Sequence, residues 1–444
     1  MSAPQRLILV LVGIVVLGVV AIVAILALGT RDPETGRAPS GSPVPTANPS
    51  EAAIKSPSPS APATSSAAPS ATVDLETGAV LAEIEEQMIA IRGLEAADIG
   101  PAQIINREQL AVELRRLLDE QYPPEEREQD NIVLRALGLL EPGQDVAQLQ
   151  LQLLGDSVLG FYDPTDKRLV IVSDAGLTTG ARVTYAHEYT HALQDASFDL
   201  DSLETDADGE DDRSLARTSL IEGDASIAML AWMFQNLTQE EILEYLGSVE
   251  LPDTSGIPSW MVAQLGFPYD TGLSWATGLA GGDPTNPDFS QLDAAFSDPP
   301  DSTEQIVDIA KWSPREAPVA VDTLDLAAGL GSGWEEVGAT PIGQATIAIM
   351  LEYFGVAAAD ARVAADGWGG DRAVIAAGPD EAFAVAWRLS WDTAADAAEF
   401  ASAYETVVAS LDFPATVSEL PSGDILVAHA SSDDLLTRTV DAAN

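Results

Sequence analysis

The chain has 444 residues, enough for two or three domains and a sizeable core. It contains no cysteine, which excludes disulfides and thiolate metal sites and leaves histidine and carboxylate as the main metal ligands. Its formal net charge is −49, with Lys55, Lys167 and Lys311 as its only lysines; such a surface repels phosphate backbones and anionic headgroups, so nucleic acid is not an expected partner.

Leu7 to Leu28 is continuously apolar, and about 20 such residues span a bilayer core as a helix, whereas a secretory signal has about 7–15. The reading is an uncleaved single-pass anchor, 7–28, after a cytoplasmic stub, 1–6; cleavage near Ala24-Ile25-Leu26-Ala27 is the alternative. Arg6 favours a cytoplasmic start, although Arg31 and Arg37 reduce the asymmetry of charge. Residues 29–72 are dominated by Pro, Ser, Ala and Thr and read as a disordered spacer, a tether that suits a domain held outside the membrane. Order is expected from Val73. Helical spacing of apolar residues predicts helices over Val80–Arg92 and Glu108–Glu120, the second stopped by Tyr122-Pro123-Pro124, then two short ones over Asn131–Leu140 and Val146–Leu154. Val158–Tyr162 and Arg168–Val172, around Asp163-Pro164-Thr165-Asp166, predict a hairpin.

His187-Glu188-Tyr189-Thr190-His191 contains two of the three histidines in the chain. Positions i and i+4 share a helix face, so both imidazoles can reach one zinc ion, and Glu188 can stand beside its open position as general base. An open position implies a third protein ligand, here a carboxylate. Glu222 is the best candidate, because Leu215 to Trp232 reads as a buried apolar helix in which an unpaired glutamate would be costly. Asp224 and Asp195 are the alternatives as ligands, and both are candidates for orienting an imidazole, with ordinary surface charge as the other reading. The small Gly223 and Ala225 are expected to let the Glu222 helix approach the histidine helix closely. Between them, Asp199 to Asp212 is an acidic run; a calcium loop counted from Asp206 needs Gly and Glu where the chain has Asp211 and Arg217, so a solvated loop is expected.

The HExxH motif followed by a downstream helical glutamate resembles the gluzincin group of zinc metallopeptidases. The resemblance implies a zincin-like fold, Zn2+ held by His187, His191 and Glu222, Glu188 as the catalytic base, and a hairpin strand at the rim of the cleft that pairs with extended substrate. Over about residues 150–410, HEYTHALQD, EGDA, Gly266–Gly272, Asp298–Gln305 and Gly367–Arg372 are similar to an uncharacterised group of bacterial membrane-anchored HExxH proteins. One departure is Asp308-Ile309, where that group is expected to carry His-Pro. Tyr269 and Arg372, each in one of these segments, are candidates for the oxyanion donor, with a buried tyrosine and a salt-bridged arginine as the structural alternatives.

Ile342–Phe354 predicts an apolar helix. Beyond it, Ala373–Ala376, Ala382–Leu389, Ala394–Leu411, Ala415–Leu420 and Ile425–His429 predict strand, strand, helix, strand, strand and then a short helix, with His429 as a core histidine. The expected fold is α+β: a mostly helical zincin-like domain with a small sheet over 73–366 and a small C-terminal α+β lobe over 367–444. The expected function is a membrane-anchored, extracytoplasmic zinc peptidase acting on peptide or protein substrates; the alternative is a non-catalytic, zinc-containing envelope protein.

Overall fold

The computed structural model describes residues 74–203, 210–249, 251–322 and 324–444. Among these, no helix is long and apolar enough to cross a membrane; the 7–28 segment, the 29–72 spacer and part of the acidic run lie outside the described residues. The fold is α+β, mostly helical, with a three-stranded and a five-stranded sheet.

Helix α1 (Leu75–Arg92) is capped by the Asp74 side chain and ended by Gly93 in the left-handed region. Strand β1 (Gln103–Ile105) and helices α2 (Arg107–Gln121), α3 (Pro124–Ala136) and α4 (Val146–Ser157) follow. Helix α3 begins well before the expected Asn131. The prolines that stop α2 also start α3, because proline suits the first helical position, where its missing N–H costs nothing. Strands β2 (Gly160–Asp163) and β3 (Arg168–Val172) form the expected hairpin, turned by Asp163 Oδ1, which accepts from the Thr165 and Asp166 amides at 3.1 Å. Strand β1, too short to show alternation, lies parallel to β3 and completes the order β1-β3-β2.

Pleating divides the hairpin between two cores. Phe161, Val170 and Val172 face one core, shared with α2–α4; Tyr162, Leu169 and Ile171 face the other, shared with α1 and the two long helices that follow. These are α5 (Thr179–Phe198) and, after the short α6 (Leu200–Leu203), α7 (Asp211–Asn236). From Ser214 to Met233, α7 is buried on nearly every face, and Thr218 and Ser219 return their hydroxyls to carbonyls four residues back. There follow α8 (Gln239–Ser248), α9 (Ser259–Phe267), a π-turn (Pro268–Gly272), α10 (Leu273–Leu279), α11 (Ser290–Ser297), α12 (Thr303–Val307) and α13 (Ile309–Trp312), of which the π-turn, α10, α11 and α12 pack on α7.

After α14 (Leu326–Leu330) come β4 (Glu335–Thr340), α15 (Gly343–Tyr353), α16 (Ala358–Ala365), β5 (Trp368–Ala377), β6 (Phe383–Trp391), α17 (Ala394–Ser410), β7 (Ala415–Glu419), β8 (Ile425–Ala430) and α18 (Asp433–Ala443). The strands form one antiparallel sheet, β4-β5-β6-β8-β7. Strand β4 was not expected: it opens on the exposed Glu335-Glu336 and carries no apolar run. One face of the sheet, with Ile375, Trp387 and Val427, joins the core of α2–α4; the other, with Val374, Ala386 and Leu426, is covered by α14 and α18.

Two of the motif-like segments are braces. Asp371 of β5 is buried and accepts four N–H groups: Ile342 and Gly343 amides at 2.8 and 3.0 Å, and the Trp368 and Trp387 indoles at 2.8 and 2.7 Å. Thr303 donates its amide to Asp212 at 3.1 Å and accepts the Ala345 amide at 3.1 Å. The first turn of α7 is thereby pinned to the start of α15, and α15 to the sheet.

His429 is fully buried, with Nδ1 2.9 Å from the Ala136 carbonyl and Nε2 3.0 Å from the Tyr404 hydroxyl. One tautomer satisfies both, with Nδ1–H donating to Ala136 and Tyr404 donating to Nε2. Burial brings its pKa down to about 4, against the smaller pull of the Ala136 bond. The unfolded imidazole takes a proton near pH 6.5 and the folded one only near 4, so stability falls as pH drops through that window, by about 3 kcal/mol. A His429→Gln variant, which keeps a donor and an acceptor, is expected to lose less stability between pH 7 and 4.5; urea denaturation at the two pH values measures the difference.

Candidate metal centre

Helix α5 starts at Thr178, whose side chain accepts the Ala181 amide at 3.1 Å, and runs to Asp199 in the left-handed region. Packed against α7 and the hairpin, it has the whole span from Tyr185 to Asp195 buried. His187, Glu188, His191 and Glu222 are each at most 1% exposed. His187 Nε2 lies 3.1 Å from Glu222 Oε2 and 3.1 Å from His191 Nε2, and His191 Nε2 lies 3.5 Å from Glu222 Oε2. Tetrahedral ligands at about 2.0–2.1 Å from zinc stand about 3.3 Å from one another. The three atoms already form that triangle.

Hydrogen bonding around His191 decides its tautomer. Gln194 Nε2 donates to the Ile221 carbonyl at 3.0 Å and to Asp224 Oδ2 at 2.7 Å, so Gln194 Oε1 is the atom 2.9 Å from His191 Nδ1. His191 Nδ1 therefore carries the proton and Nε2 presents a lone pair. Burial lowers the pKa of His187 and keeps it neutral, against the pull of its hydrogen bond to Glu222. For Glu222, burial opposes ionisation, but the interactions with the His191 and His187 rings outweigh it and hold the carboxyl below the usual carboxylate range. Three acceptor atoms thus converge with one proton, that of His187, to share among them. A cation fits this donor set of two imidazoles and one carboxylate.

Glu188 stands beside this triangle with neither carboxylate oxygen hydrogen-bonded. Burial, reinforced by the Glu222 charge, pushes its pKa well above the usual carboxylate range, against a weaker pull from the Tyr162 N–H, which lies nearby without hydrogen-bonding geometry. The hairpin comes this close because residue 160 is glycine: a Cβ there would stand 2.6 Å from Thr184 Cγ2 and 3.1 Å from Glu188 Cγ. The Val172 amide donates to the Leu159 carbonyl, and Phe161 pairs with Val170, so by alternation the peptide groups of Gly160 and Tyr162 point away from β3, toward the free edge of β2. A groove of about 840 Å³, walled by Leu159, Val172, Gly180, Ala181 and Tyr245, opens beside the same stretch and reaches Thr184, one turn before Glu188.

Tyr269 is brought to the site. It is buried on the π-turn, its ring 6.3 Å from that of His187. Gly223 allows this in a way not expected from the sequence: it packs against Gly272 of the π-turn, and a Cβ at Gly272 would stand 2.6 Å from the Ser219 carbonyl. The close approach is between α7 and the π-turn, where the sequence reading placed it between α7 and α5. Arg372 is placed elsewhere. It pairs with Arg388, whose guanidinium reaches the Ala443 carbonyl at 2.8 Å, on the sheet face covered by α18. Pleating explains this, since Asp371 takes the inward position and Arg372 the outward one.

Asp195 and Asp224 are both buried. Asp195 accepts the Tyr162 hydroxyl at 2.7 Å and pairs with Lys167, tying the hairpin to α5. Asp224 serves His191 through Gln194 and is itself paired with Arg92, whose Nε lies 3.0 Å away. Gln194 was legible in principle, one turn beyond His191 on the same face; Arg92 was not, being a basic residue in the last turn of a helix 132 positions away. A second carboxylate group, Glu304, Glu316 and Asp392, is filled by the Lys311 ammonium at 3.3, 2.5 and 2.6 Å.

A family model described as "Domain of unknown function (DUF8575)" matches residues 332–433. The match spans β4 to β8 with the helices between them and lies outside α5 and α7. No curated protein and no solved structure matches the chain.

Proposed function

We propose that this chain is a membrane-anchored, extracytoplasmic zinc peptidase with a zincin-like catalytic domain. The observation that carries the reading is the convergence of His187, His191 and Glu222 at tetrahedral spacing beside a buried Glu188 with no hydrogen-bond partner. Zinc held there would supply Lewis acidity toward a water and a substrate carbonyl. Glu188 takes the proton of the attacking water and returns it to the leaving amine. Its lack of partners suits that task, since neither oxygen is committed elsewhere. Tyr269 is the candidate donor to the developing oxyanion, since its ring lies beside His187. The outward peptide groups of Gly160 and Tyr162 suit main-chain pairing with an extended peptide. Arg372 has no part in this mechanism.

A second reading, a zinc-holding protein without turnover, is favoured by the burial of all four side chains. A structural zinc usually has four protein ligands. Among the described residues the cluster contains three.

The full-length protein is expected to hold about one zinc per chain, lost in a His187→Ala, His191→Ala double variant by metal analysis. Unchanged zinc in that variant would end the reading. Glu188→Gln is expected to keep the metal and the fold but to lose cleavage of a mixed peptide library by at least about 100-fold, since an amide cannot take the proton. Wild-type protein that binds zinc yet cleaves nothing in the library would favour the second reading. For the topology, protease added to intact cells is expected to release the folded domain by cutting within residues 29–72. Protection until lysis would place the domain inside.

A further inference from the structure

Arg92 has an unusual position for a guanidinium. It is 2% exposed, at the last turn of α1, with its Cζ 4.5 Å from the Phe289 ring centroid. Its Nε lies 3.0 Å from both Asp224 oxygens, and Nη2 lies 2.6 Å from Asp293 Oδ1. Burial opposes the positive charge, but Asp224 and Asp293 more than offset it and keep the pKa above its ordinary value. Asp224 is 0% exposed and turns Oδ2 to Gln194, whose amide oxygen meets His191 Nδ1. These contacts make a continuous buried line: Arg92, Asp224, Gln194, His191. Each member fixes the next. The guanidinium anchors the carboxylate, the carboxylate takes the amide N–H of Gln194, and the amide oxygen left over takes the imidazole proton.

We infer that Arg92 is a positioning residue for the metal centre, acting through Asp224 and Gln194 to fix His191 in the tautomer that offers Nε2, so that the centre forms only when α1 is docked. This rests on reading His187, His191 and Glu222 as a metal centre. Helix α1 is fastened to both ligand helices by polar contacts as well as by Leu81, Ile84 and Met88. Glu85 accepts the Tyr185 hydroxyl of α5 at 2.5 Å, and Gln87 accepts the Trp232 indole of α7 at 2.8 Å. The helix begins just past the 29–72 spacer. The first described helix after the expected anchor is therefore also the one that completes the surroundings of His191. Without Arg92, Asp224 would be a buried charge with no counter-ion. Without that anchor its side chain is no longer held against Gln194, and the amide is no longer fixed with its oxygen toward His191.

The test measures zinc Kd by competition with a chelating indicator, on full-length protein shown to be folded by circular dichroism. Arg92→Leu and Gln194→Leu are each expected to weaken zinc binding about 10–100-fold, the range for partners that orient a ligating histidine. Because the two residues act in series, Arg92→Leu is expected to add less than threefold in the Gln194→Leu background. A merely structural role would lower thermal stability while leaving zinc Kd of the folded protein within twofold; that result, or fully additive losses in the double variant, overturns the inference. If Arg92→Leu does not fold, Gln194→Leu decides alone, because it leaves the Arg92–Asp224 pair intact: unchanged affinity overturns the relay. Wild-type protein without zinc affinity would instead sink the metal centre itself. Wild-type affinity lost in the His187→Ala, His191→Ala variant but unchanged in Arg92→Leu and Gln194→Leu would sink only the relay.

Discussion

The constraint on which the centre of the molecule depends is one of proton supply. His187 Nε2, His191 Nε2 and Glu222 Oε2 meet at 3.1 to 3.5 Å in a site closed to solvent. Gln194 commits the proton of His191 to the far side of its ring, and burial keeps His187 neutral. One hydrogen then serves three acceptors, and buried acceptors left facing one another are costly. The divalent cation proposed here would remove the conflict with the same atoms in the same places. The neighbourhood of the site serves this geometry. Helix α7 is buried so that Glu222 can stand inside it, the Gly223–Gly272 approach brings in the π-turn with Tyr269, and Gly160 lets the hairpin lie against Glu188.

Much of this was legible in the sequence where local chemistry decides it. HEYTH at helical spacing, the apolar run around Glu222, and the two β-prone stretches around a Pro/Asp turn each encode their element within a few residues. Segments went unseen where the signal is tertiary. Strand β1 has three residues, and β4 is led by Glu335-Glu336; each is a strand because a neighbour offers it hydrogen bonds. The Gly367–Arg372 segment showed itself as unusual in sequence, but its reason is Asp371 gathering four N–H groups from two strands and the start of α15, which places Arg372 on the opposite face. Tyr269 and Arg372 had equal standing as sequence candidates, and only the packing separates them.

The matched family region and helix α7, which carries Glu222, are joined mechanically. Residues 332–433 hold Asp371 and the Gly343 amide it accepts, and α15 also takes part in the Thr303 brace that ends on Asp212. Asp212 is fully buried, and its pKa is pushed up to about 7, first by burial and further by Asp371 and Glu304, against the Thr303 hydrogen bonds. It occupies the first turn of α7, where a carboxylate also meets the positive end of the helix dipole. Since α7 carries Glu222 about three turns further along, at 3.6 residues per turn, the C-terminal sheet fixes where the Glu222 helix begins.

In a chain with 21 basic residues against 70 acidic ones, a buried carboxylate cannot count on a counter-ion, so the way each one is answered is informative. Asp195 has Lys167, Asp224 has Arg92 and Glu304 has Lys311. Asp371 has four N–H groups, Asp212 has Thr303, and Asp163 caps its own turn. Both lysines among the described residues are spent in this way, on Asp195 and Glu304. Of the buried acids, that leaves the two at the histidines. Glu222 is answered by the two imidazoles, of which burial holds His187 neutral, and Glu188 by no hydrogen bond. Elsewhere in the fold the sequence places a donor or a cation against each buried acid. At this one point it places two imidazoles instead, an arrangement that suits the cation proposed for the site.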